Sequence, residues 1–250
     1  MDFPAGTLVW ICGVALVASF AQGLTGFGLA VICTPLLSVM LPVQTSVPVA
    51  AVCGGAVTIP IIMTLRRHIL WKPVLTLAVS AVPGIFLGAR LLKGVPSAWI
   101  MGAMGAVLTC LGLFQLCNGR VPPAFRGRAL GAACGFFSGM IGAAVAAPGP
   151  PVIAYTSLQT TWSVDETKAV MNVFFLLQSL VVVPVYCMNA QMTPDVLRAV
   201  ARAFPFVAAG LGGGLVLSHL LRNQMPVLRR IIHAAVLLLG VYMLCRAALA

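Results

Sequence analysis

Read for its hydrophobic and polar positions, the chain is a succession of apolar runs, each about one bilayer long, parted by short polar punctuation. Residues 46–65, 73–92 and 97–116 form three such runs, separated by Arg66-Arg67-His68 and by Lys93-Gly94-Val95-Pro96. A second set, near 167–186, 196–220 and 228–245, repeats the scheme. Each run matches the roughly 20 apolar residues that one membrane-crossing helix requires, so each predicts a span. Ahead of each set lies a longer apolar stretch, 5–40 and 129–157, interrupted by glycine and proline instead of charge. Two shorter helical pieces fit such a stretch better than one helix, because proline removes a helical hydrogen bond and glycine weakens the helix interior.

The two interrupted stretches are copies. Gln22-Gly23-Leu24-Thr25-Gly26-Phe27-Gly28, with Pro35 beyond it, returns more weakly as Ser138-Gly139-Met140-Ile141-Gly142-Ala143-Ala144, with Pro151 beyond it. The matching residues stand 116 positions apart: 23 to 139, 26 to 142, and 35 to 151. Paired Gly/Pro interruptions in the two halves of a membrane protein mark a transporter's binding site. Broken helices in bulk lipid would leave backbone N–H and C=O groups unpaired, so these breaks must face protein or a wet cavity. The division that follows is a first repeat over 1–116, a connector over 117–128 carrying Arg120, Arg126 and Arg128, and a second repeat over 129–250.

Composition agrees with the membrane reading and charge orients it. Of 250 residues, 61% are hydrophobic and 8% charged, against the roughly 25% charged of a soluble domain. Net charge is +11, but the bases form no dense stripe of the kind nucleic acid requires; they flank apolar runs. Lys and Arg gather on the cytoplasmic side of spanning helices. Arg66, Arg67 and Lys72, then Arg120, Arg126 and Arg128, then Arg222, Arg229 and Arg230, mark three cytoplasmic loops, nine bases against the four opposing ones at Arg90, Lys93, Arg198 and Arg202. The base-free 187–194 loop falls outside. This holds only if each broken region enters and leaves on one side, as a hairpin. Each half then crosses an odd number of times, which predicts an all-α polytopic protein of two inverted repeats, each a broken hairpin plus three transmembrane helices, with both termini outside. The N-terminal Met1-Asp2-Phe3-Pro4 lacks the basic leader of a signal peptide, and no cleavage is expected.

The Gly-Leu-x-Gly-x-Gly motif followed by a proline, once near the start of each half in a chain of this length, resembles the sulfite exporter TauE/SafE family, also called the toluene sulfonate uptake permeases. The resemblance covers essentially the whole chain. It implies a bacterial inner-membrane carrier for sulfite, sulfonates or related organosulfur anions. The first copy matches well; the second departs, with Ala143 and Ala144 where the family often has glycine and a proline-rich Pro148-Gly149-Pro150-Pro151.

The residues themselves ask for an anion site built with little charge. N–H groups at a helix start carry partial positive charge, and two opposed starts hold a small oxyanion without a buried lysine. Gly23, Gly26 and Gly28 in one copy and Gly139 and Gly142 in the other let a ligand reach backbone. Gln22, Thr25 and Thr34, with Ser138, Tyr155 and Thr156, supply further donors; the plainer reading is that these groups bond neighbouring helices. Lys168, one turn before Asn172 and on the same face, is the strongest ionisable candidate. Its plainer reading is an interfacial lysine reaching water or paired with Asp165 or Glu166. Gly84 with Gly88, and Gly210 with Gly214, read as close-packing pairs. His219 and His233 read as interfacial.

No acid lies inside a span to relay protons, so a coupling ion, proton or sodium, has no visible ligand. The eight cysteines are dispersed, with no Cys-x-x-Cys and no adjacent histidine, and read as packing residues. No metal or other cofactor is expected. An enzyme is disfavoured: His68, His219 and His233 lack the His-Glu-x-x-His spacing of a zinc site. An anion channel and a carrier of small carboxylates stay open beside the sulfur-anion carrier.

Overall fold

The computed structural model describes residues 4–25, 29–116, 127–159, 161–220 and 225–249, and every regular element among them is a helix. The first half comprises α1 (Ala5–Thr25), the short α2 (Leu29–Leu37), α3 (Val43–Leu65), α4 (Trp71–Gly94) and α5 (Ser97–Leu116), with a single 3-10 turn at Arg66–His68. The second comprises α6 (Arg128–Val145), the short α7 (Gly149–Ser157), α8 (Val164–Met188), α9 (Pro194–Leu220) and α10 (Met225–Ala248). All but α2 and α7 are long and apolar enough to cross a membrane, eight helices among the described residues.

The broken regions differ from expectation in one respect. Their first pieces are full-length: α1 has 21 residues and α6 has 18. Glycine does not stop α6 because Gly131, Gly135 and Gly139 recur every fourth residue and so share one face, which is pressed against α4. Each short helix then folds back along the long one before it. The Trp10 indole N–H donates to the Leu36 carbonyl at 2.8 Å, joining early α1 to late α2, and Gly131 of early α6 lies under the Tyr155 ring of late α7. The Arg246 guanidinium donates to the Ser38 carbonyl at 2.7 Å, satisfying backbone just past the end of α2.

Packing pairs the halves. The largest interfaces are α4 on α6, α1 on α9, α5 on α10 and α3 on α8. Exchanging α1–α5 for α6–α10 converts the first of these into the second and leaves the other two unchanged, the pattern of an isologous pairing. Helices α4 and α6 run parallel, with Gly84 against Phe136 and Met140, and Gly88 against Met140 and Ala143. Helices α1 and α9 also run parallel, with Gly210 against Leu16 and Ser19, and Gly214 against Phe20 and Gly23. Helix α5 runs antiparallel to α10, Gly102 meeting Ala247 and Gly112 meeting Leu237. Lipid is as apolar as leucine, so helices associate through close backbone approach at small residues. A Cβ on Gly105 would come 2.8 Å from the Leu244 amide nitrogen, and one on Gly240 2.6 Å from that of Thr109. Tyr186, Phe174, Leu77 and Ile85 fill the interior, whereas Val79, Leu180 and Leu238 point outward as an apolar exterior.

Candidate substrate chamber

Residues that flank the first break, Gln22 and Leu29, and residues at the second, Gly142, Ala146 and Pro148, line one chamber. Its wall is drawn from α1, α2, α3, α6, α7 and α8, and its cavity volume is about 60 Å³. A water needs about 10–15 Å³ of such space, so the chamber admits a compact ligand of a few heavy atoms. Its polar side chains are Gln22, Thr58, Gln178 and Ser179, and no charged side chain lines it among the described residues.

The position-equivalent residues Gln22 and Ser138 do the same structural work. The Gln22 Oε1 accepts from the Leu29 N–H at 2.7 Å, and the Ser138 hydroxyl donates to the Pro148 carbonyl. Each side chain thereby clasps the backbone on the far side of its break. That bond orients the Gln22 amide with its NH2 as the remaining donor, since a backbone N–H must meet the oxygen. The α6 helix ends at Ala146, which is left-handed at φ 55° and donates its N–H to the Gly142 carbonyl at 3.0 Å. Beyond it, Pro148-Gly149-Pro150-Pro151 starts α7 with a single backbone N–H, that of Gly149. An α-helix ordinarily offers four such donors at its start, so α7 is a poor cradle by itself. The prolines that cause this were visible in the sequence. On the opposite wall, Ala30 and Val31 of α2 face the chamber beside Gln22.

Gln178 closes the chamber from α8. Its amide lies against Gly142, so closely that any Cβ at Gly142 would strike its nitrogen. Its Nε2 donates to the Ser138 carbonyl at 3.4 Å, and its Oε1 is buried without a hydrogen-bond partner. An unmet buried acceptor costs about 1–3 kcal/mol, which a bound donor would recover. The neighbouring hydroxyls have committed their protons: Thr58 donates to the Gly55 carbonyl at 2.6 Å and Ser179 to the Ala51 carbonyl at 3.4 Å.

Of the residues singled out in the sequence, Gln22 and Gly142 line the chamber and Ser138 lies directly behind Gln178. Gly23 instead faces α9, where a Cβ would come 2.8 Å from the Leu211 carbonyl oxygen, and Gly139 faces Ala81 of α4. Thr34 is fully buried off the chamber and its Oγ1 has no partner. Tyr155 packs edge-on against Trp162, and Thr156 donates to the Ile153 carbonyl at 3.2 Å. Asn172 donates to the Lys168 carbonyl at 2.9 Å, and neither lines the chamber. Glu166 is engaged in a capping box with Ser163 at the start of α8. Gly26, Gly28 and the side chains of Thr25 and His219 lie outside the described residues, as do positions 117–126 of the connector and Arg222. Sequence reasoning missed Thr58, Gln178 and Ser179. For Gln178 and Ser179 a signal existed, since they are the two polar residues between the apolar runs Val173-Phe174-Phe175-Leu176-Leu177 and Leu180-Val181-Val182-Val183 of α8.

Eight membrane-length helices, four of which line a hydrogen-bonding chamber with no charged side chain among the described residues, define a membrane transport protein. The family is shown by its own signature: the model described as Sulfite exporter TauE/SafE matches residues 11–245, and the chain belongs to that family. No curated protein and no solved structure matches the chain.

Proposed function

We propose that the chain is a secondary carrier of a small oxyanion, sulfite or an organosulfonate, across a bacterial cytoplasmic membrane. The observation that carries this reading is the chamber lined by residues that flank the first break and by residues of the second. Gln22, whose NH2 is its remaining donor, and Gly149, which carries the one N–H at the start of α7, line it, and among the described residues no acidic side chain does. A buried cation would require carboxylates or a ring of convergent carbonyls, whereas a small anion is held by amide and N–H donors. Family membership supports sulfur as the central atom.

The carrier works as two inverted repeats. Parallel packing of α1 with α9 and of α4 with α6, beside antiparallel α5 and α10, is the arrangement reached when each hairpin returns to the face it entered and three crossings follow. Arg66, Arg67, Lys72 and Arg128 sit at one end of the bundle, which supports that end as cytoplasmic and the termini as external. Rocking of one repeat against the other about the chamber gives alternating access. Counterflow in proteoliposomes tests this: a carrier preloaded with unlabelled sulfite or sulfonate accelerates entry of the labelled anion and saturates. Flux that rises linearly with concentration and shows no counterflow would replace the carrier by a channel.

A further inference from the structure

We propose that the chamber selects a singly charged oxyanion that brings its own hydrogen-bond donor, offered to Gln178 Oε1. This rests on the chamber being the substrate site. Two independent observations carry it. Among the described residues no cationic side chain lines the wall, and residues 26–28, which adjoin it in sequence, are Gly, Phe and Gly, so no described group balances a second negative charge. Desolvating a dianion against neutral dipoles alone is far more costly than desolvating a monoanion. The second observation is the acceptor excess. Gln178 is 5% exposed with an unmet Oε1, its orientation held by the Nε2 bond to the Ser138 carbonyl, while Thr58 and Ser179 have turned their protons to backbone and offer only lone pairs. A fully ionised oxyanion has acceptors alone and leaves Gln178 Oε1 unmet. A ligand with one O–H or N–H satisfies it and still accepts from the Gln22 NH2.

The shared chemistry has two sources: hydrogen sulfite, the singly protonated form of sulfite, and a sulfonate carrying a hydroxyl. In the first case the proton crosses on the ligand, which accounts for transport without a carboxylate in the wall. The titratable groups on the helices packed around the chamber are Cys12 on α1, Cys33 on α2, Cys53 on α3, Arg128 and Cys134 on α6, Tyr155 on α7, and Asp165, Glu166, Lys168, Tyr186 and Cys187 on α8. Behind them stand Lys72, Arg90 and Lys93 on α4 and Asp195, Arg198 and Arg202 on α9; none of all these lines the chamber. A pH response of binding therefore reports the ligand.

The test is ligand-induced thermal stabilisation of the full chain in detergent, read as apparent affinity. Sulfite is titrated across its second ionisation near neutral pH, with donor-free ethanesulfonate as the control at each pH, and 2-hydroxyethanesulfonate is compared with ethanesulfonate at fixed pH. Affinity for total sulfite should fall about tenfold per pH unit above that ionisation, while ethanesulfonate stays level. The hydroxylated sulfonate should bind more tightly than ethanesulfonate, and Gln178→Met should bring that ratio toward one. Donor preference among sulfonates with no sulfite binding at any pH assigns the sulfonate source; a falling sulfite profile assigns hydrogen sulfite. Sulfite affinity that is level or rises with pH, together with equal binding of the two sulfonates, overturns the proposal while leaving the anion site standing. Absence of stabilisation by any of these anions removes the site itself. If Gln178→Met is not recovered folded, the wild-type pH profile and sulfonate ratio decide the question.

Discussion

Adding one methyl group at Gly142 should separate ligand binding from folding. The new Cβ would collide with the Gln178 amide nitrogen and come 2.9 Å from Pro148 Cβ. The amide is the far end of a flexible side chain and can swing, but α8 holds it at the chamber wall, so the open direction is into a space of about 60 Å³. The swing breaks the 3.4 Å bond to the Ser138 carbonyl, a long one, whose loss costs about 0.5 kcal/mol, with overpacking adding about 1–3 kcal/mol. Gly142→Ala therefore folds with a lowered melting temperature and a partly filled chamber. At Gly84 the same methyl meets backbone, the Phe136 carbonyl and the Met140 nitrogen, which move only if α4 and α6 separate. Gly84→Ala should lose more stability than Gly142→Ala yet keep the ligand affinity of whatever fraction folds. The assay is a melt with and without anion: wild type at about 100 times Kd gains about 2.7 kcal/mol, and a tenfold weaker variant about 1.4. Unaltered ligand stabilisation in Gly142→Ala would refute the assignment of this chamber as the binding site.

Three further outcomes are expected. In a cysteine-free background, Arg66→Cys and Asp195→Cys, both exposed, should label from opposite faces of the membrane; labelling from one face would break the inverted arrangement. Ala146→Gly should raise the melting temperature by relieving a left-handed alanine worth about 1 kcal/mol, partly offset by glycine's greater freedom when unfolded; a lower melting temperature would show that the alanine methyl packs more than it strains. Ser163→Ala removes the capping box of α8 and should cost about 1 kcal/mol of stability with no change in anion affinity, read from the same pair of melts.

Much was legible before any coordinates. Apolar run length alone dictates a helical membrane protein, because backbone polar groups in lipid must be satisfied within each segment. The repeat at 116 residues was written in Gly23, Gly26 and Pro35 and their partners, and the pairs Gly84–Gly88 and Gly210–Gly214 were readable as packing rows because small residues one turn apart have few other uses. Only the tertiary structure decided which glycine faces what. Gly139 and Gly142 are three residues apart on α6, yet one abuts α4 and the other underlies Gln178. Hydropathy does not make that distinction, since a helix face turned to lipid and one turned to a neighbouring helix are equally apolar. Nor could a linear reading unite Gln22, Thr58 and Gln178, which stand on α1, α3 and α8 and become neighbours only when the two halves close on each other. Sequence periodicity supplies the faces of each helix; the choice of which faces meet belongs to the packing of all ten.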